Sequence, residues 1–234
     1  MDRITRRDLK TDRFAQEVTH SVEYLGVHRK QFLRYAGAAL ALIVIVFGVR
    51  FYRSHRAVRL QAELTEAMRF QEAQIGPSTG NPSILSFPTQ AEKDKAAIKA
   101  FTDLAAKNSG SDEAWVARYY LGVIAADAGK MAEAGKAFQE VSASAPADTA
   151  SLARLALSQI YQAVNRSADA EKLLRQLIDK PTILVSKEEA TISLARLLAP
   201  TNPAEARKLL EPLRTSRSAV SRAALTALGE VPAK

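Results

Sequence analysis

The sequence predicts an all-α chain, with one N-terminal transmembrane helix followed by an α-solenoid of about four helical hairpins. One short word recurs twice at an interval of 36 residues: Met-Ala-Glu-Ala-Gly-Lys-Ala-Phe-Gln-Glu-Val from Met131, Ser-Ala-Asp-Ala-Glu-Lys-Leu-Leu-Arg-Gln-Leu from Ser167, and Pro-Ala-Glu-Ala-Arg-Lys-Leu-Leu-Glu-Pro-Leu from Pro203. A repeat of this length is one helical hairpin that cannot bury its own apolar face, so neighbouring hairpins must stack. Upstream, Tyr35 to Val49 runs for fifteen residues without a charge.

The chain opens with a basic tail, residues 1–34, in which Phe14, Val18, Val22 and Leu25 mark one helical face. That face suits a membrane surface or a membrane partner, and Arg13, Arg29 and Lys30 assist either. Residues 35–52 follow as the transmembrane helix. Eighteen helical residues rise about 27 Å, close to the hydrocarbon thickness of a bilayer. Tyr35 and Tyr52 stand at interfacial positions, and Arg34, Arg50 and Arg53 can reach lipid headgroups. A cleaved signal peptide fits less well, because the 34 residues before Tyr35 exceed an ordinary basic leader and no small-residue cleavage site follows. Flanking charge leaves orientation nearly balanced. A short basic tail is awkward to translocate, which favours a cytoplasmic tail and a repeat domain on the far side of the membrane.

Residues 53–234 form the repeat domain. Its first helix runs to about Ala73 and is followed by a loop over 76–90, where two glycines and three prolines punctuate the chain. Ile84, Leu85 and Phe87 are unusually apolar for such a loop; they either pack back on the first hairpin or meet a partner. Within the word, the small residues Ala134, Ala170 and Ala206 are followed at i+4 by Phe138, Leu174 and Leu210 and at i+7 by Val141, Leu177 and Leu213, which is one helix face. A weaker copy at Ala97, Phe101 and Leu104 precedes them. Each copy carries a lysine two residues after the small position, Lys99, Lys136, Lys172 and Lys208, and these line a solvated edge.

Each word is preceded by the other helix of its hairpin. Ala117, Leu121, Ile124 and Ala125 follow the start signal Ser111-Asp112, and Gly129 ends that helix. Leu152, Leu155, Ala156 and Ile160 follow Asp148 and Thr149. Ala190, Leu194, Leu197 and Leu198 follow Ser186, with Glu189 three residues on in a capping-box pattern. Asn165 and Asn202 stand at the matching turns, and Pro203 suits a first helical position. Ala219, Ala223, Ala224 and Leu228 form a short closing helix. Trp115, Tyr119 and Tyr120 either fill an inter-repeat seam or line the concave face for a peptide.

Charge and composition narrow the function. Of the net +8, residues 1–34 hold +3, residues 35–59 hold +4, and residues 60–234 only +1. A nearly neutral repeat domain lacks the concentrated basic face that nucleic acid requires, whereas the excess beside the anchor suits anionic lipid. All three histidines, His20, His28 and His55, precede the repeats, and cysteine is absent. Zinc clusters, Cys/His pairs and Ser/His/Asp triads cannot be built there. Gly76-Pro77-Ser78-Thr79-Gly80 lacks the Gly-Lys-Ser/Thr of a phosphate loop, and Glu188 and Glu189 are accounted for by a helix dipole. No catalytic, cofactor-binding or metal-binding residue is assigned.

At Leu121-Gly122, Gly129, Ala134, Phe138 and Pro146, the segment from Trp115 resembles a tetratricopeptide repeat. In the second unit Leu157, Tyr161, Ala170, Leu174 and Leu177 match but Ser158 replaces the glycine; in the third, the second helix carries the likeness. The resemblance implies a divergent tetratricopeptide-like solenoid, packed through Ala97, Phe101, Gly122, Ala134, Phe138, Ala170, Leu174, Ala206 and Leu210. The clamp for C-terminal carboxylates seen in cytosolic co-chaperones is not matched, since Tyr119 and Val123 occupy its positions. Tail, anchor and solenoid together resemble the YfgM-type family of ancillary subunits of the bacterial SecYEG translocon. That likeness implies a non-enzymatic scaffold in the inner membrane, with periplasmic repeats that meet translocon subunits, a membrane-anchored prolyl-isomerase-like chaperone and emerging polypeptides. A structural organiser of envelope or division machinery is the alternative reading.

Overall fold

The computed structural model describes residues 29–77, 85–216 and 218–232. The amphipathic stripe of the tail, His20, His28 and Ile84 lie outside the described residues. The chain divides into two compact units, Met1–Arg59 and Leu60–Lys234. The second therefore starts at Leu60, seven residues after the boundary read from the sequence.

In the first unit the described chain is a single element, the helix α1, which spans Arg29–Gln71 and continues into the second unit. No proline interrupts it, and apart from Ala36 every side chain from Tyr35 to Tyr52 is described and exposed. Leu40, Ile43, Val44, Ile45 and Phe47 are each more than half exposed. It is long and apolar enough to cross a membrane.

The second unit is an all-α repeat stack. The Leu60–Gln71 part of α1 is followed by strand β1 (Gln74–Ile75), strand β2 (Ser86–Phe87), and helices α2 (Gln90–Lys107), α3 (Asp112–Asp127), α4 (Met131–Ser144), α5 (Ala147–Ala163), α6 (Ser167–Asp179), α7 (Lys187–Leu198), α8 (Pro203–Leu210) and α9 (Ser218–Glu230). A 3₁₀ turn, Glu211–Thr215, joins the last two. Strand β2 falls within the apolar loop read over 76–90, and β1 lies just ahead of it. Gln74 N–H donates to the Leu85 carbonyl at 2.9 Å and Gly76 N–H to the Phe87 carbonyl at 3.0 Å, in parallel register. Half-buried Leu85 and Phe87 bring their backbone inward, where its polar groups need partners.

Local sequence explains the helix ends. Thr89, Ser111, Ser186 and Asn202 each accept the backbone N–H three residues on, at 3.1 to 3.3 Å, and cap α2, α3, α7 and α8. Pro203 occupies the first turn of α8. Helix α5 starts directly after Pro146, ahead of Asp148 and Thr149, and Thr149 is buried. The turns after α3 and α5 each use a left-handed residue: Gly129 has φ 74° and Asn165 φ 60°. In each, the next residue's N–H reaches back five residues, Lys130 to Ala125 at 2.8 Å and Arg166 to Tyr161 at 2.7 Å, while the left-handed residue itself bonds the carbonyl three before it. Asn202 has another role, since its φ is −140° and it caps the helix that follows. The third word is also cut short. Pro212 cannot continue a helix, so α8 stops at Leu210 and Leu213 reaches the core from the 3₁₀ turn.

The core runs through the unit as three clusters. Leu60 and Ala67 of α1 pack with Ala97, Phe101 and Leu104 of α2 and with Ala117 and Ile124 of α3. Ala134, Phe138 and Val141 of α4 pack with Ala153, Leu157 and Ile160 of α5. The last cluster joins α6 to α9 around Leu174, Leu177, Leu194, Leu198, Leu210 and Ala224.

Candidate interaction surfaces

The residues of the word sit at the centre of this packing. Ala97, Phe101, Ala134, Ala170, Ala206 and Leu210 are fully enclosed, and Phe138 and Leu174 nearly so. Gly122 is buried beneath Phe138: a Cβ there would lie 2.7 Å from Phe138 Cε1. At the equivalent place in the next repeat, whose large position is Leu174, Ser158 is buried and its hydroxyl donates to the Leu155 carbonyl at 2.6 Å. The four lysines that follow the small positions, Lys99, Lys136, Lys172 and Lys208, are all exposed.

The aromatic residues of α3 bridge seams. Tyr120 stacks on Phe101 of α2 with centroids 5.1 Å apart and planes within 4°, and Tyr119 meets Phe138 of α4 at 5.5 Å. The Arg118 guanidinium lies 4.5 Å from the Trp115 ring centroid and pairs with Glu140 at 3.5 Å. Trp115 and Tyr119 remain partly accessible. Burial raises the Tyr119 hydroxyl above its usual range, and the neighbouring Tyr120 and the Glu189 carboxylate push in the same direction. Phe87 packs against Phe70 of α1 at 6.2 Å, while Leu85 supplies the strand carbonyl already described.

Two open grooves have apolar floors. One, about 440 Å³, lies between α1 and α2, with Ala67, Phe70, Ala100 and Leu104 below and Glu63 and Lys99 among its rim residues. The other, about 410 Å³, lies among α2, α3 and α4 over Ile98, Leu121, Ile124 and Ala137. Among the described residues no His, Cys, Asp or Glu group is arranged to hold a metal ion. Exposed ion pairs instead tie repeats together. Arg175 of α6 reaches Glu205 of α8 and Glu171 of its own helix, both at 2.7 Å, and these carboxylates raise its pKa further, the Glu205 hydrogen bond most.

Sequence reasoning missed the connection between α6 and α7. Its Ile183 is 90% exposed and Leu184 48%. The available signal was its length, seven residues from Lys180 to Ser186, against two between α4 and α5.

The model of the tetratricopeptide repeat-like domain matches residues 31–181, well over half of the chain. The chain belongs to the tetratricopeptide repeat-like domain family. Among solved structures, the nearly identical TPR-like repeats of a Podosopora anserina protein assigned as a kinesin light chain align at TM-score 0.54 and 18% identity, covering 74% of this chain and 85% of that one. A single-substitution variant of the same protein aligns equally well, covering 74% and 84%. At that identity the likeness concerns fold. No curated protein matches the chain. Tetratricopeptide repeat-like domains are generally non-enzymatic scaffolds for protein partners, and the seams, grooves and ion pairs described above are those of such a repeat stack.

Proposed function

We propose that this protein is a membrane-anchored tetratricopeptide repeat-like scaffold of the bacterial inner membrane, which presents its repeats to protein partners at the secretion translocon and links them to an envelope chaperone. The observation that carries the reading is the Tyr35–Tyr52 stretch of α1. Its described side chains are exposed all round in a segment with no charge before Arg50, and only lipid covers such a surface without cost. Excess basic charge beside it suits anionic headgroups, and a nearly neutral repeat unit suits protein partners better than nucleic acid. The translocon assignment rests on the resemblance of tail, anchor and divergent repeats to the YfgM-type family. In this topology the tail is cytoplasmic and the repeats are periplasmic.

A photo-crosslinking residue at Tyr119, which is partly accessible on α3, tests the assignment in living cells. Translocon subunits, a membrane-anchored prolyl-isomerase-like chaperone or nascent secretory chains are the expected adducts. Recovery of none of these classes would sink the proposal.

A further inference from the structure

The two ends of the repeat stack are finished differently. A solenoid needs a cap at each end, because a terminal repeat has no neighbour to bury its outer flank. At the C-terminal end α9 supplies one, with Ala224, Ala227 and Val231 packed into the last cluster and Arg222, Thr226 and Gly229 exposed. At the other end the flank of the first hairpin is the open groove between α1 and α2. No described residue outside those two helices lines it. Its Lys99 and Asp103 stand two residues either side of Phe101, on the face of α2 opposite the ring that stacks on Tyr120 of α3, so the groove looks away from the next repeat.

The walls of this groove carry opposite charge. Glu63 and Glu66 project from α1, three residues apart on one ridge, and make that wall acidic. Lys99 and Lys107 project from α2 with Asp103 between them, four residues apart on one ridge, and leave that wall net basic. All five side chains are exposed, and none forms an ion pair, either across the groove or with a neighbouring helix. Later in the stack such charges are paired, as Arg175 is with Glu171 and Glu205.

We propose that the groove receives the same groove of a second copy of this chain, two first hairpins packing face to face about a twofold axis so that each caps the other's stack. An isologous contact requires a patch complementary to itself, and one acidic wall beside one basic wall meets that requirement. In the resulting four-helix arrangement α1 of one copy lies along α2 of the other, which brings Glu63 and Glu66 against Lys99 and Lys107. A partner helix of uniform charge would satisfy one wall and be repelled by the other. Ala67 and Ala100 on the floor permit helix axes about 8–10 Å apart, and Phe70 fills the shared centre. Leu60–Gln71 rises about 18 Å and α2 about 27 Å, so two helices about 10 Å wide offer about 450 Å² from each copy. Twice that area belongs to the weak, reversible class of interface, and the dimer forms with rising concentration. The contact involves the repeat unit alone and does not depend on residues 35–52 crossing a bilayer.

Reversing one wall at a time tests this in the full-length, detergent-solubilised protein. Glu63→Lys with Glu66→Lys makes both walls net basic, and Lys99→Glu with Lys107→Glu makes both acidic. All four positions are exposed, so folding is not at stake. The chain has no cysteine, so donor and acceptor dyes can be placed uniquely at Lys130→Cys and self-association read as energy transfer over a dilution series. The unreversed protein is expected to associate, each reversed variant to lose at least about tenfold in affinity, and an equimolar mixture of the two variants to regain it. Transfer that ignores both reversals places the association elsewhere in the chain and overturns the proposal, as does absence of transfer from the unreversed protein at every concentration. Loss in both variants without recovery in the mixture overturns it too, since a contact between opposite walls is restored when the reversals are opposite.

Discussion

Gly122 and Phe138 form a matched pair. With the glycine's Cβ position only 2.7 Å from the ring, alanine there must displace a side chain that is 2% exposed and already in contact with Tyr119 of the glycine's own helix. Gly122→Ala is expected to cost about 1–3 kcal/mol through overpacking. Pairing it with Phe138→Leu reproduces the combination of small side chain and leucine that the next repeat uses at Ser158 and Leu174, and should recover part of the loss. Urea unfolding of the detergent-solubilised protein followed by circular dichroism checks both; a double variant no more stable than Gly122→Ala would refute the matched-pair account. At this scale the enclosed positions of the word were legible, because a small residue with large ones at i+4 and i+7 describes a face that closes on a neighbour. The glycine-to-serine change at 158 looked like a departure from pattern. Only the structure shows that its hydroxyl is satisfied inside the helix by a backbone carbonyl.

Helix α5 shows what a one-stripe reading leaves out. The sequence marks Leu152, Leu155, Ala156 and Ile160, yet the first three are only half-buried, while Ala150, Ala153, Leu157 and Ile160 are buried. The helix lies between two repeats: Leu152 and Leu155 pack against the following cluster, Ala153 and Leu157 against the preceding one. Two overlapping faces blur a 3.6-residue period, so an inner helix reads less clearly than a helix with one open side such as α6. The end of α5 is better specified. Asn165 adopts φ 60° there, the conformation Gly129 supplies one repeat earlier. Asn165→Gly is expected to leave stability within about 0.5 kcal/mol, whereas the β-branched Asn165→Val should cost about 1–2 kcal/mol. Thermal melts of the two variants decide it, and equal melting temperatures would contradict the turn assignment. The companion position, Asn202, shares the residue type without the role, since Pro203 next to it disfavours a helical backbone there and Asn202 caps the helix that follows.

Across the whole molecule, the apolar stretch of α1 and the repeats make opposite demands on their surroundings. The first unit exposes a continuous run of aliphatic side chains that water solvates poorly, and the second encloses most of its own beneath a surface whose charges nearly cancel. The proposed topology makes a definite statement about Lys130, on the exposed turn between α3 and α4. A thiol introduced there by Lys130→Cys should react with a membrane-impermeant maleimide once the outer membrane alone is opened. Labelling that waits for rupture of the inner membrane would reverse the orientation. What the sequence by itself determined was periodicity and segregation: a word every 36 residues, an uncharged run, and an uneven division of charge. These depend on residue type and spacing along one chain, so they survive without coordinates. Tertiary structure alone decided which faces meet, that Phe87 turns towards Phe70, that two short strands bracket the loop, and that the Thr182–Val185 turn points Ile183 and Leu184 outward. The physical reason is that exposure of an aliphatic side chain depends on what its neighbours in space have already filled. At Thr182 and Val185 those neighbours, Ser151 among them, lie about one full repeat away in sequence.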